Sequence, residues 1–247
     1  MISYKPMSDK PSVRSPWFWV PSLYFAQGIP YVAVMIVSVL MYKRLGVSNT
    51  DIALYTSWLN LPWVIKPFWS PFVDLLKTKR WWVATMQLLI GAGLAGVAFT
   101  IPTTFFFQAS LAVFWLLAFS SATHDIAADG FYMLALDSHE QAFFVGIRST
   151  FYRIAIIAGQ GVLVMFAGFL ENSTGNIPLA WSVTFFILGG LFLALFLYHR
   201  YILPLPKGDK PSATVTPSTI LKEFFATFAS FFKKKQAFVA ILFLSLI

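Results

Sequence analysis

Six apolar runs, each near the twenty or so residues that cross the hydrocarbon core of a bilayer, follow one another with only short polar breaks between them. They cover residues 17–42, 52–73, 81–101, 104–136, 142–170 and 179–203. Backbone inside a bilayer has no water to bond, so runs of this length and apolarity must close their hydrogen bonds internally, as helices. The expected fold is therefore an all-α membrane protein with a six-helix bundle over residues 1–203. A soluble domain is excluded by composition, since only 11% of residues are charged, against about 25% in ordinary soluble chains.

The net charge of +8 would suit a nucleic-acid partner if the cations formed one patch, but they lie in the breaks between runs. Lys5, Lys10 and Arg14 precede the first run, and Lys77, Lys79 and Arg80 separate the second from the third. Arg200, Lys207, Lys210, Lys222 and Lys233 to Lys235 follow the sixth. The opposite side carries only Lys43 and Arg44. Thirteen cations against two place the N-terminus in the cytoplasm. The start of the chain lacks a short apolar stretch leading to an Ala-x-Ala site, which argues against a cleaved signal peptide. With no cysteine, neither a disulfide nor a thiolate metal site is available.

Beyond the sixth run, residues 204–236 read as a cytoplasmic linker: a Pro-, Lys-, Ser- and Thr-rich stretch, then an amphipathic, aromatic-faced helix ending in three lysines. Residues 237–247 read as the truncated start of a seventh transmembrane helix. That plan is expected of the first half of a larger protein, with a C-terminal six-helix half as its partner.

Within the runs stand Lys66, Asp125, Asp129, Arg148 and Arg153, with His124 beside them. A charge at the centre of a membrane helix costs about 2.5–3.5 kcal/mol on insertion scales, so such groups face protein, water or a solute. The fourth and fifth runs form a hairpin turning near His139, and equal distance from the turn means equal depth. Asp125 is thereby matched with Arg153, and Asp129 with Arg148. Lys66, about 12 Å along its run from Asp74, reaches a similar depth. Such pairs also serve as structural ties between helices, and both readings stand for Asp129 and Arg148. Three cations against two carboxylates leave one positive charge for an anionic solute.

Tyr24, Gln27 and Tyr31 share one helical face beside Gly28 and Pro30, and Ser149, Arg153 and Gln160 form a second stripe on the fifth run. Both suit the lining of a polar cavity. An Asp-x-x-x-Asp pair such as Asp125 and Asp129 also holds magnesium in intramembrane transferases. That alternative requires a second acidic motif on another run, and the sequence has none.

Lys66-Pro67-Phe68-Trp69-Ser70-Pro71-Phe72-Val73-Asp74 resembles the loop-two signature of the AmpG-like muropeptide permeases of the major facilitator superfamily. Ser121-Ala122-Thr123-His124-Asp125-Ile126-Ala127-Ala128-Asp129 is similar to their fourth-span motif, with His124 in place of the usual Gln, and Phe151-Tyr152-Arg153-Ile154 to their Gly-Tyr-Arg-Leu. Acetyl-coenzyme A transporters share the first two motifs, and Gly130-Phe131-Tyr132 is closer to theirs. The resemblance implies a non-enzymatic, proton-coupled importer of anionic anhydro-muropeptides in the bacterial inner membrane, serving peptidoglycan recycling. It implies no bound cofactor beyond the proton gradient, and no nucleic-acid partner. A carrier of acetyl-coenzyme A or another anion is the alternative within the superfamily. The roles implied are proton coupling or gating for His124, Asp125, Asp129 and Arg148. Substrate contact falls to Lys66 and Arg153, with Tyr24, Gln27, Tyr31 and Gln160 lining the cavity, and Asp74 belongs to the cytoplasmic gate.

Overall fold

A computed structural model describes residues 14–210 and residue 226. The stretches 1–13, 211–225 and 227–247 lie outside the described residues, and with them most of the expected linker helix and the start of a seventh span. The described chain is all α: α1 (Pro16–Arg44), α2 (residues 49–76), α3 (Lys79–Thr100), α4 (Phe106–Ala135), α5 (Ser138–Thr174) and α6 (Ile177–Ile202).

Helix starts follow the local chemistry. Thr78 caps α3 by accepting from the Trp81 N–H, and Asn176 caps α6 by accepting from Leu179. Asp137 and Glu140 form a reciprocal capping box at the start of α5. At its end Gly175 has φ +64°, a left-handed turn that leads directly into α6. The sequence reading begins the fifth run at 142 and closes it at 170. The capped helix extends past both limits because its terminal polar turns are satisfied by these caps.

α2 departs furthest from expectation. Residues 52–73 read as one span, but the structure breaks this region into short pieces: Asn49–Thr56, Ser57–Asn60, Leu61–Ile65, Lys66–Phe68 and Ser70–Leu76. Pro62, Pro67 and Pro71 each stand in the first turn of a new piece, where the missing N–H does least harm. Five helices, α1 and α3 to α6, are long and apolar enough to cross a membrane unbroken. α1 and α5 each carry one wider turn, at Ala33–Val37 and Gly159–Leu163, the first of them just after Pro30.

α3 packs on α4 and α6, while α1 packs on α5 and α4 and α2 leans on α4. Two apolar cores fill the bundle. One lies toward the ends of α1 and α3 around Val37, Leu94 and Phe185, and the other lies around Trp19, Val83 and Phe131. Between them runs a buried polar string: Ser22 bonds His199 at 3.0 Å, His199 bonds Gln87, and Gln87 bonds His124 at 3.1 Å. It joins α1, α6, α3 and α4 through hydrogen bonds of ordinary length between neutral side chains.

The approach of α1 to α5 depends on Gly28. A Cβ there would lie 2.7 Å from the Ala155 Cβ and 2.8 Å from the Tyr152 carbonyl oxygen, which is backbone and cannot swing aside. Gly28→Ala is therefore expected to destabilise the protein by about 1–3 kcal/mol, seen as a lower melting temperature in detergent. Gly146→Ala, where a Cβ meets nothing within 4 Å, is the matched control and is expected to be neutral or stabilising. Equal melting temperatures for the two variants would show that the α1–α5 contact is not limiting.

Candidate functional site

Consecutive residues on a helix point about 100° apart, and here His124 and Asp125 face different neighbours. His124 faces α3 and is fully buried against Gln87. Asp125 faces the broken helix α2, where its Oδ2 lies 3.9 Å from Lys66 Nζ. The sequence reading pairs Asp125 with Arg153 by depth. The structure replaces that partner with Lys66, because α4 and α5, although consecutive, are separated by α1 rather than packed together. α2 is held beside Asp125 by the Trp69 indole N–H, which donates to Thr123 Oγ1 at 3.2 Å.

Asp125 is 7% exposed, and its pairing with Lys66 is longer than a hydrogen bond. Its other oxygen, Oδ1, is buried without a hydrogen-bond partner among the described residues. The same holds for Gln27 Oε1 on α1 and Trp63 Nε1 on α2. The Gln27 amide and the Trp63 indole are the donors nearest the Asp125 carboxylate, just outside strict hydrogen-bond geometry. The Trp63 ring also meets Tyr31 edge to face at 5.2 Å, which places Tyr31 at the α1–α2 seam.

The second expected pair is present, with an intermediary. Tyr24 on α1 donates to Asp129 Oδ1 at 2.9 Å and accepts from Arg148 Nη1 at 3.1 Å. The direct Arg148–Asp129 distance is 3.5 Å, with both side chains about a third exposed. An ion pair so exposed is worth little alone. The hydroxyl between them, and the Arg148 guanidinium 5.1 Å from the rings of both Tyr24 and Tyr132, supply the stronger ties. Tyr132 is fixed in turn by donating to the Gln141 carbonyl.

A cavity of about 300 Å³ opens beside this group, lined by Tyr24 and Gln27 of α1, Asp129 of α4, and Arg148, Tyr152 and Arg153 of α5. Arg153 is exposed and forms no ion pair with any described residue. Its planar fork is suited to bidentate contact with a carboxylate or phosphate. Gln160 is exposed on the wide turn of α5 and does not line this cavity. The phase shift of that turn carries it off the stripe that regular helical spacing predicts.

Asp74 stands apart from the cavity, at the end of α2, in an ion pair with Lys79. The Lys79 stem is buried against Gly130 of α4, where a Cβ would meet its Cε at 2.8 Å. The Lys79 and Arg80 N–H groups donate to the Asp209 carboxylate at 2.6 and 3.0 Å, so a residue beyond α6 covers the start of α3. Among the described residues, no group of three or more His, Asp or Glu side chains converges where it would hold a metal ion.

Tyr152, Trp63, Gln87 and His199 were not singled out from the sequence. Tyr152 neighbours Arg153 in a noted motif, and Gln87 is a lone amide within an apolar run; both were available signals. Tyr24→Phe removes only the bridging hydroxyl and is expected to destabilise the protein by about 1–2 kcal/mol in thermal unfolding. Combined with Asp129→Asn it should be non-additive by about 0.5 kcal/mol or more, whereas simple additivity would show that the hydroxyl is not the bridge.

The chain is 27% identical over 234 residues to a putative transporter AmpG 4 of Rickettsia conorii, covering 89% of this chain and 53% of that protein. It is 24% identical over 228 residues to the anhydromuropeptide permease of Escherichia coli K12, covering 89% and 43%. An uncharacterized protein of Schizosaccharomyces pombe matches at 28% over 145 residues, 53% of this chain and 28% of that one. The chain thus spans about half the length of the curated relatives it matches. The BT1 family pattern runs across residues 25–246, nearly the whole sequence, and the chain belongs to the BT1 family.

Proposed function

We propose that this chain forms the N-terminal six-helix half of a proton-coupled secondary transporter that imports anionic cell-wall fragments of the anhydro-muropeptide class across a bacterial inner membrane. The observation that carries the reading is the cation-rich flank of the bundle. Arg148 and Arg153 line the cavity with Asp129 and Gln27, and the Lys66–Asp125 pair stands at the neighbouring α2–α4 contact. Three cations and hydrogen-bonding tyrosines and glutamine match a carboxylate-bearing sugar–peptide. The broken helix α2 brings irregular backbone to this flank, as in transporters that build midplane sites from discontinuous helices. The permease name of the Escherichia coli relative supports the substrate class.

In this reading Lys66 and Arg153 contact substrate carboxylates. Asp125, buried beside a single distant cation, exchanges a proton with the cavity, and the Asp129–Tyr24–Arg148 group couples α4 to α5 through α1. His124 stabilises the bundle interior and does not meet the substrate. Asp74 and Lys79 close the cytoplasmic end. Vesicles containing the whole protein are expected to accumulate labelled anhydro-muropeptide, and an uncoupler should abolish accumulation. Asp125→Asn should lower uphill uptake by about tenfold or more, the scale of losing a proton-transfer group. Uptake indifferent to the uncoupler would overturn the coupling, and full uptake by both Lys66→Ala and Arg153→Ala would overturn the anion contacts.

The N-terminus belongs on the cytoplasmic side in the same proposal, because Arg14, Lys77, Arg80, Arg200 and Lys207 gather in the segments bordering α1, α3 and α6 at one end. The absence of native cysteine makes this simple to test. Lys77→Cys should react with an impermeant maleimide only in inverted vesicles, and Thr103→Cys only in right-side-out cells. The reverse pattern would invert the topology.

A further inference from the structure

A second cavity, of about 590 Å³, lies at the end of the bundle where α3 begins and α6 finishes. It shares no lining residue with the cavity between α1, α4 and α5. Four cations line it from four places in the chain: Arg14 ahead of α1, Arg80 in the first turn of α3, Arg200 in the last turn of α6, and Lys207 after it. None of the described residues lining it is acidic. Asp209, the nearby carboxylate, already accepts from the Lys79 and Arg80 backbone.

One of these cations, Arg80, is held in place by the chain itself. Arg80 Nη2 donates to the Arg200 carbonyl, one of the last carbonyls of α6, and this anchors both guanidinium-bearing turns together. Arg80 Nε is buried with no hydrogen-bond partner among the described residues, a donor left for something in the cavity. Pro204 and Pro206 stiffen the wall from which Lys207 projects. Like charges fixed this closely repel one another, and the repulsion is relieved by an anion of matching geometry.

We propose that this cavity is a binding site for a phosphate-bearing anion, held by Arg14, Arg80, Arg200 and Lys207. A phospholipid headgroup and a soluble phosphate share that chemistry. The rim resembles a lipid's neighbourhood, since Tyr201 and Leu205 are 72% and 80% exposed beside the cations. Basic pockets between membrane helices take anionic headgroups in this way.

The test uses the purified full chain, delipidated and offered phosphatidylglycerol, cardiolipin or phosphatidylethanolamine, with bound lipid counted by native mass spectrometry. One equivalent of anionic lipid is expected on the wild type. The paired variant Arg200→Gln with Lys207→Gln should weaken retention by about tenfold or more, and Lys207→Gln alone by less. Pyrophosphate forms the other arm. Thermal stabilisation of the lipid-free wild type by pyrophosphate, absent in the paired variant and unaccompanied by lipid retention, would identify a soluble phosphate as the occupant. Equal retention of all three lipids by wild type and variants, with no pyrophosphate effect, would overturn the proposal. Because neither Arg200 nor Lys207 touches the transport cavity, this result and the uptake result stand independently.

Discussion

The hydrocarbon interior offers no hydrogen bonds, and every polar side chain in this bundle is arranged around that fact. Inside the packed interior the solution is neutral: Ser22, His199, Gln87 and His124 bond one another in a string that ties four helices. On the flank of the bundle the solution is ionic and incomplete, with cations outnumbering carboxylates around a cavity. The contrast separates structural polarity from polarity reserved for a solute. The two systems are one residue apart on α4, at His124 and Asp125, and the helical twist alone divides them.

α1 is the element through which the arrangement is transmitted. It lies between α4 and α5, brought against α5 by Gly28, and it inserts Tyr24 between Asp129 and Arg148. A hairpin drawn from sequence puts α4 and α5 side by side. The bundle puts α1 between them, so at the deeper level Asp125 meets Lys66 and Arg153 pairs with no described residue, while the shallower charges are bridged by a phenol.

What the sequence disclosed follows from the kind of physics involved. Helical class, five of the six spans and the shallow pair rest on hydropathy and on the rise of a helix, which are local or nearly so. The partner of Asp125 was illegible because it depends on which helices touch, and depth arithmetic carries no information on that. Pro62, Pro67 and Pro71 are visible in the sequence, yet hydropathy alone reads straight through them. Three restarts within one run, one of them a three-residue turn, leave no continuous α2. Lys66 reaches Asp125 from such a turn. Gln160 is misplaced for a related reason, since it sits inside the wide turn of α5, where the regular spacing behind the stripe does not hold.

Asp209 gives the chain's exit from α6 a mechanical meaning. By gripping the first turn of α3, it makes that exit a fixed point rather than a loose end. From the start of α3, Lys79 reaches Asp74 through an ion pair and, with its stem, Gly130 of α4, one residue from Asp129. The exit from α6 is thereby tied to the ends of α2, α3 and α4 at once.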